Sequence, residues 1–250
     1  MNLERVYALV KMELKKIIRE PAYLFLMLLF PAALTVTFGF AFGSFPSATP
    51  GVSTFEFMAP GLFAYACIFI IMIVAQTFSD DRENGLLKRI NITPTTSTEF
   101  MSSHILSNTA LVLLQVVIVA ILTFIMGFRP QTTFLGYIVA AVFMILLAIC
   151  SVGFGLITAT ISKSSGTATG LSFIFILPQM FFGTFIPLTE TTTLVAMFLP
   201  SYYATDSLGR IFNGVVLTDL NIWFNLMVLG LSSIAIVIVG ILLFKKYGKA

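Results

Sequence analysis

Few residues in this sequence can carry covalent or metal chemistry. His104 is the single histidine, and the two cysteines, Cys67 and Cys150, both fall inside long apolar runs. Cradling a nucleotide phosphate needs a glycine-rich loop that ends in Lys followed by Ser or Thr. Gly248-Lys249 lacks both the upstream glycine and the hydroxyl residue, so no Walker A pattern exists. Metal binding from local spacing needs His, Cys or carboxylates in short-range sets, and no such set occurs, so neither metal nor cofactor is expected on this chain. A Ser–His pair can be drawn around His104, but no acid close in sequence would orient it; His104 reads as a polar residue where an apolar run meets the aqueous surface. Catalysis is not expected. The densest chemistry is instead charge of mixed sign on one short segment: Asp80, Asp81, Arg82 and Glu83, then Lys88, Arg89 and Glu99. Such a segment suits docking to a soluble partner, or simply solvation.

The elements around it follow from composition. Only 10% of the 250 residues are charged and 58% are hydrophobic, with 26 Phe and a mean hydropathy of +1.01. Soluble domains carry roughly 25% charged residues, so the soluble, disordered and collagen-like classes are excluded. Six apolar stretches free of charged residues are long enough to cross a bilayer as helices, which takes about 20 residues. The expected spans are about 22–43, 57–78, 105–128, 134–159, 168–187 and 223–244. The runs are continuously apolar rather than alternating, which favours helices over a barrel. The expected fold is therefore an all-α membrane protein. Charges crowd residues 1–20 and the first run is long, so it reads as a retained span rather than a cleaved signal.

Orientation follows from the basic residues. With the N-terminus in the cytoplasm, all Lys and Arg except Arg129 and Arg210 lie inside. The positive-inside rule favours that topology, with both termini cytoplasmic and a basic tail at 245–250. The pI of 8.9 is then a membrane-surface property, and nucleic acid is not an expected partner. Residues 1–21 form an amphipathic helix candidate. Leu3, Val6, Tyr7, Val10, Leu14, Ile17 and Ile18 recur at helical spacing, and Lys11, Lys15, Lys16 and Arg19 are expected to face lipid phosphates.

Punctuation divides the rest. Pro31 should kink the first span, and Gly39 with Gly43 should permit close helix approach. Gly85 should end one helix in a left-handed cap. Leu86, Leu87 and Ile90 then make a short apolar face beside Lys88 and Arg89, and Thr93-Pro94 stops it. Ser97-Thr98-Glu99 marks the next helix start. Ser151, Gly155 and Ala159, with Gly153, form a small-residue stripe for tight packing. The fifth run is broken by Pro178, Gly183 and Pro187. After it, 188–220 is too apolar for an ordinary loop and reads as two short helices, parted by Pro200, that dip back into the outer leaflet. The polar residues inside the runs, Gln76, Asn108, Gln115 and Gln179, are candidates for helix packing or for lining a pathway. None is ionisable, so any transport would draw its energy from elsewhere, such as a docked cytoplasmic ATPase.

In order along the chain, these features resemble the type-2 ATP-binding-cassette export permeases. The similarity rests on Arg19-Glu20-Pro21, on Arg82-Glu83-Asn84-Gly85 through Leu87 with Thr93-Pro94 and Glu99, and on Pro187, Leu199-Pro200, Tyr203 and Arg210. Leu86, Lys88 and Ser103-His104 depart from the family's common residues. The resemblance implies a permease subunit that exports a drug, lipid, polysaccharide or similar substrate. It implies a second permease subunit and two ATP-binding subunits, with ATP and magnesium on those partners. Asp81, Arg82, Glu83, Gly85, Lys88, Arg89, Thr93 and Pro94 would couple to the ATPase together with the N-terminal helix, and Pro187, Pro200, Tyr203 and Arg210 would shape a re-entrant outer region. A self-sufficient channel or secondary carrier, or a membrane scaffold, are the alternatives that the residues leave open.

Overall fold

The computed structural model describes residues 2–45, 53–93, 95–185 and 189–247, with the side chains of Ala22, Tyr23, Leu26, Lys88, Asn91, Thr184 and Phe185 outside that description. Pro94, Pro187 and the side chain of Lys88, all expected to matter, thus lie outside the described residues. Helices dominate: α1 (Leu3–Arg19), α2 (Pro21–Phe42), α3 (Thr54–Glu83), α4 (Leu86–Asn91), α5 (Ser97–Ile125), α6 (Phe134–Ile161), α7 (Ser165–Met180), α8 (Glu190–Ala196), α9 (Pro200–Phe212) and α10 (Leu220–Tyr247). No β-strand occurs among the described residues. An apolar chain in lipid must bond its backbone internally, and helices do so segment by segment.

Among the described residues, five helices are long and apolar enough to cross a membrane: α3, α5, α6, α10, and α7 extended through Gly183. In α2, an uninterrupted apolar stretch is described over Met27–Phe42. The helices overrun the expected spans. α3 continues to Glu83 and α5 begins at Ser97, so both extend past their apolar runs into the charged segment. Lys245 and Lys246 close the last turn of α10 rather than forming a tail beyond it.

Caps set several starts. Ser53 and Glu56 form a capping box on α3, and Thr96 with Glu99 forms one on α5. The hydroxyls of Thr133 and Ser164 cap α6 and α7. Each such cap satisfies backbone donors that have no partner in the first turn. Gly85 takes the left-handed conformation, φ 73, between α3 and α4, as its position predicts.

The axis of the bundle is α3. Of its apolar window 83% is buried, against 17% for α10. Ile68, Ile70, Ile71 and Phe78 are fully enclosed. α10 and α2 turn much of their surface outward, with Phe25, Phe40, Leu231 and Leu242 more than half exposed, as lipid-facing helices should. The small-residue stripe on α6 divides between two neighbours. A Cβ on Gly155 would lie 2.8 Å from the Ile71 carbonyl oxygen of α3, whereas one on Gly153 would lie 2.7 Å from Ile236 of α10. Gly39 backs onto Met126 at the end of α5, while a Cβ on Gly43 would meet its own helix at the Gly39 carbonyl oxygen. The close-approach role expected of that pair therefore falls to Gly39.

Pro178 does not end its helix, contrary to expectation. α7 carries it to Met180 and passes into a π-helical turn, Phe181–Phe185. Pro178 has no N–H to donate, yet the helix continues past it, with the Phe181 N–H donating to the Leu177 and Pro178 carbonyls. Gly183 sits in this turn against the start of α9. A Cβ there would lie 1.9 Å from Ser201 Oγ and 2.8 Å from its Cβ. Gly183→Ala is therefore expected to displace α9 and to cost about 1–3 kcal/mol by overpacking, measured as a lower unfolding midpoint in detergent.

Candidate functional site

The charged residues gather at one end of the bundle, where α1 lies across the start of α5 and the end of α3. The Asn2 backbone N–H donates to Glu99 Oε1 at 2.6 Å, while Glu99 also closes the α5 cap. Farther along α1, Lys16 donates to Asp81 Oδ1 in the last turn of α3. Glu13 Oε1 approaches His104 Nε2 of α5 at 3.4 Å. Glu13, Asp81 and His104 are 3%, 4% and 2% exposed. The imidazole stands edge-on to Phe78 and Phe100, and Phe244 of α10 closes over both rings. Burial pushes the Glu13 carboxyl above its ordinary pKa, and Lys16 draws it part of the way back.

This corrects three expectations. His104 is enclosed rather than lying at the aqueous surface. Lys16 turns inward to Asp81 rather than toward lipid phosphates, while Lys11, Lys15 and Arg19 are exposed. Ligand-type side chains do come together: atoms of Glu13, Asp81 and His104 lie within 4.8 Å of one another. They come from three helices, so no short-range spacing announces them. One signal was available. Val6, Glu13 and Ile17 share the buried face of α1, and an acid on that face needs a partner.

The corner between α3 and α4 is tied down as well. Arg82 donates to the carbonyls of Thr160 and Ser162, at the end of α6. Glu83 Oε1 accepts the Ser165 backbone N–H at 2.6 Å, at the positive end of α7. Of the residues expected to contact an ATPase, Asp81 is thus buried, Arg82 and Glu83 bind the α6–α7 link, and Gly85 shapes the turn. Leu87 anchors α4 in the core at 5% exposure. Arg89 and Thr93 are exposed, and Thr93 Oγ1 donates back to the Ile90 carbonyl at 2.6 Å, closing α4. Ile92, which carried no signal in the sequence, is 87% exposed.

At the far end, α9 packs on α3, α6 and α10 through Ala204, Leu208, Ile211 and Phe212. Pro200 opens it at the first helical position. Arg210 bonds Asp206 at 2.8 Å and Asp219 at 3.2 Å. Asn225 of α10 donates to Asp206 and to Ser207 Oγ. The Asn221 backbone N–H holds the Asp219 carboxyl below its ordinary pKa, with the Asn221 side chain and Arg210 adding to the effect. Tyr203 Oη donates to the Met197 carbonyl at 2.7 Å, fastening α9 to the turn after α8.

The uncharged polar residues in the helices differ from one another. Asn108 and Gln179 donate to carbonyls one turn back on their own helices, His104 and Phe175. Gln76 is half-buried. Gln115 is fully buried, and both of its amide atoms lack a hydrogen-bond partner. The four sit on three helices: Gln76 on α3, Asn108 and Gln115 on α5, and Gln179 on α7.

A family model for the ABC-2 type transporter matches residues 4–213. The chain belongs to that family. No curated protein matches it. The matched range opens in α1 and closes just after α9. It takes in the buried cluster, α4 and Arg210, and leaves α10 outside. As an ABC-2 family member with several apolar helices, the chain is a transmembrane permease component and a multi-pass membrane protein. It has no ATPase motif of its own, and permeases of this family generally partner with an ATP-binding subunit.

Proposed function

We propose that this chain is the permease subunit of an ATP-driven exporter, with six spans and both termini in the cytoplasm of a cell-membrane assembly. Two copies, or one copy and a related subunit, form the path for a drug, lipid, polysaccharide or similar substrate. Two cytoplasmic ATP-binding subunits supply ATP and magnesium and dock on α4. The basic residues crowd the charged end of the bundle, which supports that orientation.

One observation carries the coupling role. α4 presents Arg89 and Ile92 outward, yet its base is fastened to three other elements: Asp81 to α1, and Arg82 and Glu83 to the α6–α7 link. A force applied at α4 therefore moves α1, α3 and the start of α7 together. Lys11, Lys15 and Arg19 extend the docking face along α1 and reach lipid headgroups at its edge. At the outer face, Pro200, Tyr203 and Arg210 fix the re-entrant helices.

Ile92→Asp combined with Arg89→Glu is expected to lower stimulation of the co-purified ATPase about tenfold, equivalent to about 1.4 kcal/mol of coupling. Neither side chain is buried, so membrane insertion and helix content should be unchanged. Unaltered stimulation in the double variant would remove α4 from the coupling path.

A further inference from the structure

The junction of α1, α3 and α5 holds a donor set of which the transport reading uses only Asp81, through its bond to Lys16. Glu13 Oε1, Asp81 Oδ2 and His104 Nε2 are all buried, and none has a hydrogen-bond partner. Orphaned polar atoms are scarce in folded proteins, and each costs free energy. One ligand-type atom from each of the three side chains lies within 4.8 Å of the other two. The Glu13 oxygen and the His104 nitrogen are 3.4 Å apart. Two ligands each about 2.0–2.1 Å from a tetrahedral ion stand about 3.3–3.4 Å from one another.

Charge points the same way. Lys16 occupies Asp81 Oδ1, which leaves Oδ2 buried and without a partner. With a neutral imidazole, Lys16 offsets only one of the two carboxylates. The group then holds one uncompensated negative charge in a site walled by Phe78, Phe100 and Phe244, where an unpaired ion is expensive. A cation supplies what is missing. Lys16 itself is 29% exposed along its side chain, so water screens its repulsion of an incoming ion and weakens binding without abolishing it.

We propose that Glu13, Asp81 and His104 bind one divalent transition-metal ion of the zinc class and so pin α1 to α3 and α5. One imidazole nitrogen with two carboxylate oxygens suits zinc, cobalt, manganese or ferrous iron. Magnesium and calcium prefer all-oxygen sets, and copper(I) prefers sulfur. Water completes the coordination. The ligands come from three helices, so the ion would act as a structural rivet beneath the docking face. Transport need not be measured to test it.

The test uses the full chain without an affinity tag, purified in detergent. Its metal content is measured by plasma mass spectrometry, and the chelated chain is then titrated with zinc and with cobalt. The expected results are about one zinc per chain, saturable rebinding, a visible cobalt absorption band and a higher unfolding midpoint with zinc. Glu13→Gln and His104→Gln should each weaken zinc binding by more than about tenfold, the loss that outer-shell partners alone can cause. Lys16→Met keeps all three ligands and should bind zinc at least as tightly as the parent, which separates a metal site from mere packing. Should the ligand variants fail to fold, the parent titration and Lys16→Met still decide. Absence of saturable zinc binding in the parent chain overturns the proposal and leaves a proton on Glu13 as the neutralising charge. Binding unchanged in properly folded Glu13→Gln and His104→Gln would also overturn it.

Discussion

Gly155→Val is expected to destabilise the chain by about 3 kcal/mol, at the upper end of ordinary overpacking. A Cβ at Gly155 would already stand 2.8 Å from the Ile71 carbonyl oxygen and 2.8 Å from Val74 Cβ, both on α3. The first of these is backbone and cannot rotate away. Two further methyl groups would force α6 off the central helix along one of the tightest contacts in the bundle. Gly170 and Gly230 are the controls. They also lie in helices, but nothing stands within 4 Å of a Cβ there. Alanine at either is expected to be neutral or to stabilise by up to about 1 kcal/mol, since it restricts the unfolded chain. Unfolding midpoints in one detergent should rank Gly155→Val far below the parent and the two controls at or above it. Equal midpoints for Gly155→Val and Gly170→Ala would mean that α3 and α6 do not pack as described.

Lys16→Met carries the second large effect. Removing one partner from a fully buried ion pair costs roughly 3–5 kcal/mol, because the other charge is stranded. Lys16 is partly exposed, so the expectation here is about 2–3 kcal/mol. It strands two carboxylates at once, Asp81 and Glu13, both nearly enclosed. The reverse change is milder. Asp81→Asn leaves Lys16 able to reach water or Glu13 and should cost about 1 kcal/mol. Lys16→Arg should retain most of the pairing. The order of stability in chelated protein is thus parent, Lys16→Arg, Asp81→Asn, Lys16→Met. If Asp81→Asn were the worst of the three, the lysine would not be the group that neutralises this cluster.

These two predictions mark what could be read from residues and what could not. The apolar runs became helices because lipid leaves the backbone no other partner, and Gly85 became the turn because only glycine takes its conformation cheaply. The stripe of Ser151, Gly155 and Ala159 announced close packing, and Gly153, two residues from Gly155, had to point to another side of the helix, but spacing could not say that the two glycines meet α10 and α3. The fifth run was expected to break at Pro178. It continued to Met180 and passed into a π-helical turn. Arg82 and Glu83 were legible as charges on a short segment, yet their partners are backbone groups at the α6–α7 link, which no sequence pattern identifies. The cluster of Glu13, Asp81 and His104 was the least legible. Each residue looked ordinary alone, and His104 was expected at the aqueous surface because it flanks an apolar run. The packing of α1 and α3 against α5 encloses it.

Exporter coupling remains the central claim, and it has one direct measurement. The full chain is purified from its own membranes in mild detergent, its companions are identified and counted, and the assembly is reconstituted in liposomes. The account predicts an ATP-binding subunit in a ratio of one per permease chain, with solute movement that requires ATP and stops when ATP hydrolysis is blocked. Solute movement by the chain alone, with no ATPase present, would contradict it.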